Sequence, residues 1–208
     1  DVSFWVDRLG LTHDQKQMFT VYAKNKTYDI FPKALSNGLF SLRANKDRLA
    51  LSCVLQYDDD WKLKSHKFER SIVKVDANLT YKNAIANKRK RVCRVVKKLA
   101  TAIPNYVRNS KTNGQPCSKE LVSSLMVKVN ELAGQLLVSS GIEGVVLRCM
   151  PNMCLPKASV PKKVRDFVRY YTSDSAIYSI YNPGGKVPIH AGLGIEAYTH
   201  MTSPIRRS

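Results

Sequence analysis

Ala191-Gly-Leu-Gly-Ile-Glu-Ala-Tyr-Thr-His-Met-Thr-Ser-Pro-Ile-Arg-Arg-Ser208 closes this chain of 208 residues, and its reading decides how the rest is taken. Two glycines lead into a short apolar piece, Pro204 breaks it, and paired arginines follow a group of hydroxyl and imidazole side chains. Thr199, Thr202 and Ser203 each carry a hydroxyl donor. Arg206 and Arg207 each present a planar fork of N–H groups that matches phosphate. Chain ends of ordinary composition fray into solvent. This one mixes too many kinds of donor for that and reads as a segment built to hold an anion.

The whole composition points the same way. Lys and Arg number 34 against 16 Asp and Glu, a net charge of +18, while 44% of the residues are hydrophobic, enough to bury a core. A folded, strongly basic chain favours a polyanionic partner, because each phosphate it neutralises releases a condensed counterion. Nucleic acid leads. A membrane is not expected, since no run approaches the roughly 18 uninterrupted apolar residues needed to span a bilayer. The five cysteines, at 53, 93, 117, 149 and 154, show neither Cys-x-x-Cys spacing nor a compact disulfide pattern and read as reduced thiols. They fit an intracellular reducing compartment: cytoplasm, mitochondrion or virus particle. Histidines 13, 66, 190 and 200 are scattered, which argues against a zinc site. The opening Asp-Val-Ser-Phe-Trp-Val, with no Met, reads as a strand in a chain cut from something longer.

Taken in order, residues 2–6 are expected as a strand and 9–22 as a short helical or irregular piece with His13 and Asp14 near its start. Residues 31–48 carry Pro32, Asn37 and Gly38 and read as a fixed loop. Residues 49–80 pattern as an antiparallel meander of three strands, 49–57, 61–69 and 71–79, with Asp58, Asp59 and Asp60 solvating the first turn. From Tyr81 the period becomes helical. Ile85, Val92, Val95, Val96, Leu99 and Ile103 share one face, and Lys90, Arg91, Arg94, Lys97 and Lys98 the other, a basic face that is either solvated surface or an RNA contact. A loop through 105–117 follows. Ser118 then caps the cleanest helix, whose apolar stripe is Val122, Leu125, Met126, Val129, Leu132, Ala133, Leu136 and Leu137. A short buried strand at 145–149, a loop at 151–156, a helix from Ser159 to Tyr171 and a flexible turn at 182–185 complete the chain.

Several blocks, in order, resemble the ribonuclease II (RNB) exoribonucleases. They are Asp1-Val-Ser-Phe-Trp-Val6; Phe31-Pro through Leu35-Ser; Leu39-Phe-Ser-Leu-Arg-Ala-Asn45 with Asp47-Arg-Leu-Ala-Leu-Ser52; Leu79-Thr-Tyr81; and His190 to Arg207 almost throughout. The resemblance implies an α+β fold, an RNB-type catalytic domain of antiparallel strands packed with long helices. It is expected to run as a single domain over 1–208, incomplete at both ends. The implied activity is 3′-to-5′ hydrolysis of single-stranded RNA, with Mg²⁺ ions held by an aspartate cluster that this chain does not contain. Tyr81 falls where that family stacks an aromatic ring on the terminal base. Arg206 falls where it places the catalytic arginine at the scissile phosphate. Arg207, Thr202 and Ser203 are implied second contacts.

Departures from that pattern matter equally. Asp1 resembles the aspartate that follows the metal-binding cluster, so no metal ligand is assigned in this chain. Ser123-Ser124 stand where the family commonly carries two glutamates, the insert between the first two helices is short, and Ser208 ends the chain where the family continues. These residues by themselves are expected to bind RNA without cutting it. Three functions follow as expectations: part of the catalytic domain of an exoribonuclease; a catalytically degenerate RNB-like module that binds RNA or acts as scaffold among other chains of a ribonucleoprotein or virion assembly; or a basic protein–protein interaction module whose resemblance is only structural inheritance.

Overall fold

In the computed structural model the described residues are 1–11, 20–60, 62–81, 84, 118–152, 159–172 and 174–204, the side chains of 169 and 172 excepted. They fall into two compact units. One comprises Asp1–Pro104, Asn109–Val122 and Ser203–Ser208, the other Asn105–Arg108 and Ser123–Thr202.

The first unit opens with helix α1 (Val2–Arg8), not the strand expected at 2–6. Asp1 decides the matter: its carboxylate accepts the Phe4 N–H at 3.0 Å and caps the first turn. Val2, Trp5 and Val6 then lie at helical spacing and join Ile30, Phe31 and Phe40 in a core cluster. Phe31 and Phe40 meet edge to face, centroids 5.0 Å apart. Between them the expected loop contains a π-helical turn (Leu35–Leu39), closed by the Phe40 N–H donating to the Leu35 carbonyl at 2.9 Å. Arg48 holds this turn from outside. Its guanidinium donates to the carbonyls of Ser41 (3.0 Å), Gly38 (3.2 Å) and Asp47 (2.9 Å), so the arginine of the Asp-Arg block is spent on backbone.

Strands β1 (Val21–Tyr22) and β2 (Thr27–Tyr28) make a small antiparallel pair. Beyond them β3 (Asp47–Tyr57) and β4 (Leu63–Lys74) form one long antiparallel ribbon. The three-stranded meander is therefore two-stranded. Glu69-Arg70-Ser71 holds no Gly, Pro, Asn or Asp, and the Ser71 hydroxyl bonds that of Ser52 across the ladder at 2.6 Å, so the chain runs straight on and the first residues of the strand expected at 71–79 are the tail of β4. Asp58 closes the hairpin by accepting the Lys62 N–H at 2.7 Å, the turn role expected of the acidic triplet. Of the helix read from Tyr81 onward, Tyr81 and Ala84 are described and helical, with the Ala84 N–H donating to the Thr80 carbonyl at 2.9 Å; its basic face and the loop at 105–117 lie outside the described residues.

Helix α2 (Ser118–Ser139) is the long helix anticipated, but Ser118 sits inside it and donates its hydroxyl to the Tyr81 carbonyl at 2.6 Å instead of capping. The buried positions are Ser118, Leu121, Ser124, Val127, Asn130, Leu132, Ala133 and Gly134, which share only Leu132 and Ala133 with the predicted stripe, whose Val122 and Leu136 are about half exposed. By length and composition α2 would satisfy the requirement for a membrane span. It nevertheless carries an ion pair between Lys128 and Glu131 at 3.1 Å and a fully buried asparagine, the pattern of a helix packed against protein.

In the second unit β5 (Val145–Cys149) pairs antiparallel with β6 (Ile177–Tyr181), a strand that the sequence reading missed. Val145, Leu147 and Tyr181 point inward, with Leu137 and Val138 of α2 packed on them. Helix α3 (Lys162–Thr172) intervenes as expected. The Asn182-Pro-Gly-Gly185 turn is pinned rather than loose, since the Asn182 amide oxygen accepts the Gly144 N–H at 2.8 Å. Strands β7 (Ile189–His190) and β8 (Ile195–Glu196) close the unit as an antiparallel hairpin. All named strand pairs are antiparallel and helices accompany them, the α+β class expected.

Candidate nucleic-acid interface

The closing segment is held by two positions of α2 that share a face four residues apart, Asn130 and Gly134. Asn130 is wholly buried. Its side-chain amide N–H donates to the Tyr198 hydroxyl at 3.0 Å, its amide oxygen accepts the Thr202 N–H at 3.1 Å, and its main-chain carbonyl accepts the Thr199 N–H at 3.4 Å. One residue thus reads three points of Tyr198–Thr202. At Gly134 a Cβ would lie 1.7 Å from the Ala197 carbonyl oxygen, so only hydrogen fits between helix and segment.

From the other side β5 completes the clamp. The Arg148 N–H donates to the Tyr198 carbonyl at 2.7 Å, the Thr199 hydroxyl donates to the Val146 carbonyl at 3.0 Å, and Met150 exchanges backbone hydrogen bonds with Ile189 and Ala191. The Tyr198 ring buries against Val127 and Ile195 and meets the His190 ring edge to face at 5.4 Å. Two non-glycine residues of this stretch, Ala197 (φ 53°) and Ser203 (φ 61°), adopt left-handed backbone, at a cost of about 1–2 kcal/mol each. Such strain survives only where surrounding contacts over-determine it, and it concentrates at functional segments.

His190 is buried, and its Nδ1 has no partner among the described residues. Burial pushes its pKa below the ordinary histidine value; the Arg148 charge adds to that, while a contact with its own backbone opposes it. The sign follows. With the folded-state pKa lowered, the unfolded chain binds more protons in the window below about pH 6.5, so stability contributed by neutral His190 is present above that value and is lost as pH falls. Thermal melts between pH 7.5 and 5 are expected to show a fall in Tm that His190→Gln flattens; an equal fall in the variant would assign it to other groups.

The residues singled out from sequence are distributed as follows. Thr202 is clamped through its N–H, and its hydroxyl is enclosed without a partner among the described residues. Ser203 follows in its left-handed turn. Tyr81, in the first unit, is 53% exposed, with its carbonyl tied to Ser118. Arg206, Arg207, Lys90, Arg91, Arg94, Lys97 and Lys98 lie outside the described residues. Asn130 and Gly134 were missed. Their signal was present as an amide and a glycine interrupting an apolar helical stripe on one face.

Residues 11–88 match the family model of the RNB domain. Over those residues the chain is similar to an RNB domain. Ribonuclease R of Aquifex aeolicus is 36% identical over 89 residues, 41% of this chain and 12% of that protein. Among solved structures, Mycoplasma genitalium RNase R in complex with ribose-methylated single-stranded RNA matches with a TM-score of 0.71 at 16% identity, over 97% of this chain and 42% of that one. Yeast Ssd1, a pseudonuclease, matches with a TM-score of 0.74 at 16% identity, over 92% of this chain and 31% of that one. The chain spans less than half the length of each of these proteins. The matched structures share the RNB-type fold with this chain over more than nine-tenths of its length.

No three His, Cys, Asp or Glu side chains gather closely enough to hold a metal ion among the described residues. The Mg²⁺ that the resemblance implies would need carboxylates other than those described.

Proposed function

We propose that this chain is the RNA-holding part of an RNB-type exoribonuclease that shortens single-stranded RNA from the 3′ end. The observation that supports it most is the clamping of Tyr198–Thr202 by Asn130, Gly134 and β5. That clamp spends a buried amide and strained backbone on fixing the residues that lead directly to Arg206 and Arg207. In this reading Arg206 meets the charge that develops at the scissile phosphate, Arg207, Thr202 and Ser203 support the strand, and Tyr81 stacks on a base. Lys90, Arg91, Arg94, Lys97 and Lys98 draw the backbone in through counterion release. Hydrolysis by a two-metal route belongs to this reading and needs carboxylates other than those described.

The test uses 5′-labelled single-stranded RNA with Mg²⁺. A ladder shortening from the 3′ end is expected from the active protein. Arg206→Ala should lower turnover by about 10²-fold or more while changing RNA affinity little, because the arginine acts on charge present only in the transition state. Equal losses in both would reduce Arg206 to a phosphate contact.

A second reading is a catalytically degenerate RNB-like module that binds RNA within a larger ribonucleoprotein or virion assembly. It is favoured by Ser123-Ser124 in place of the expected glutamates, with Ser124 buried, and by the likeness to the pseudonuclease Ssd1. Tight, salt-sensitive RNA binding with no shortening at any Mg²⁺ concentration would select it.

A further inference from the structure

The β5–β6 ribbon spends its inner face on the core beneath α2, and an antiparallel sheet so placed normally turns polar side chains outward. This one does not. Its register puts Val146 opposite Ile180 and Arg148 opposite Tyr178 on the outer face. Val146 is 51% exposed, Tyr178 57% and Ile180 70%. The Arg148 guanidinium lies over the Tyr178 ring, 5.2 Å from its centroid, and donates to the Tyr178 hydroxyl at 3.1 Å, so the ring is braced. Of these four side chains only Arg148 is charged.

Two features choose the occupant. The patch is four side chains, far short of the 20–30 residues a side that a stable protein interface uses. It is cationic and aromatic on a chain of net charge +18, the combination that grips single-stranded nucleic acid by stacking and charge. The patch is also continuous with the clamped segment, because the opposite edge of β5 carries the hydrogen bonds to Tyr198 and Thr199.

We propose that the outer face of β5–β6 is a stacking platform for one base of single-stranded RNA, with the base on Tyr178, Val146 and Ile180 at its flank and Arg148 at the adjoining phosphate. The platform rests on the RNA-holding reading above and extends it to a strand pair that neither the sequence nor the family likeness assigned. Because the brace fixes the ring before binding, little side-chain freedom is lost when a base arrives.

The experiment measures affinity of the full chain for a 5′-fluorescein oligo(U) by anisotropy, in a salt series, together with photocrosslinking of the same oligomer carrying 4-thiouridine. Tyr178→Ala should bind about tenfold more weakly with an unchanged salt slope, while Tyr178→Phe keeps wild-type affinity within about twofold. Arg148→Gln should weaken binding and reduce the salt slope by about one. Wild-type protein should give a crosslink within Ile177–Tyr181, a readout that does not depend on any variant folding. If wild-type protein binds RNA with crosslinks elsewhere but none there, the platform is overturned and the RNA-holding reading stands. If it binds no RNA, both fall. Unchanged affinity in Tyr178→Ala, with or without a change in sedimentation, overturns the platform; with a sedimentation change, the face is instead a contact between proteins.

Discussion

Gly134→Ala is expected to lower Tm by about 6 °C, although the same exchange in an exposed helix interior stabilises by about 1 kcal/mol. The sign reverses because the added Cβ would lie 1.7 Å from the Ala197 carbonyl oxygen and 2.5 Å from its carbon, well inside the 3.0 Å that Cβ atoms essentially never breach. Both are backbone atoms, and Ala197 already holds a left-handed φ of 53°, so it has no easy direction in which to yield. Overpacking of this kind costs about 3 kcal/mol, which outweighs the gain in helix propensity. RNA affinity should fall with it, since the displaced residues are those that lead to Arg206. Gln135→Ala, one residue on and facing solvent, is the control and should stay within about 0.5 kcal/mol of wild type. A Tm for Gly134→Ala at or above wild type would show that the segment is free to move away from α2.

The sequence made the closing run, the long helix and the first hairpin legible because each is a local pattern: donors beside a proline, apolar residues at helical spacing, alternation broken by Asp58. It failed where a single polar group overrode the pattern. Val2 to Val6 alternates well enough for a strand, yet one hydrogen bond from the Phe4 N–H to Asp1 sets a helix. The third strand of the meander does not separate from the second, because the Ser71 hydroxyl bonds that of Ser52 across the ladder and β4 runs on to Lys74. Along α2 the count of apolar residues favoured a stripe through Val122 and Leu136, while the helix turns Ser124 and Asn130 inward. Hydrophobic periodicity could not see this, because at Asn130 the helix meets backbone N–H groups and a tyrosine hydroxyl that need hydrogen-bond partners. Strand β6 was hidden for a related reason: Ile177 to Tyr181 is apolar on both faces, so it shows no alternation to read.

Asn130→Ala should be the costliest single truncation in the second unit. The amide is fully buried, and removing it strands the Thr202 N–H and deprives the Tyr198 hydroxyl of its donor. Each buried group left unsatisfied costs about 1–3 kcal/mol, and the vacated volume adds to that, for a total on the order of 3–5 kcal/mol. Chemical denaturation should record it as a lower midpoint with an unchanged m-value. Two further variants separate hydrogen bonding from packing. Tyr198→Phe alone should cost about 1 kcal/mol, and combined with Asn130→Ala it should cost less than the sum, because the tyrosine's bond is already gone. Asn130→Asp keeps the shape and the acceptor for Thr202 but buries a carboxyl whose pKa burial raises. A raised folded-state pKa gives stability that is present at low pH and lost as pH rises through it, so this variant should lie nearest to wild type near pH 4 and fall furthest behind near pH 8. A pH-independent deficit would mean that the site admits water, and the amide would then be a packing residue rather than the anchor of the closing segment.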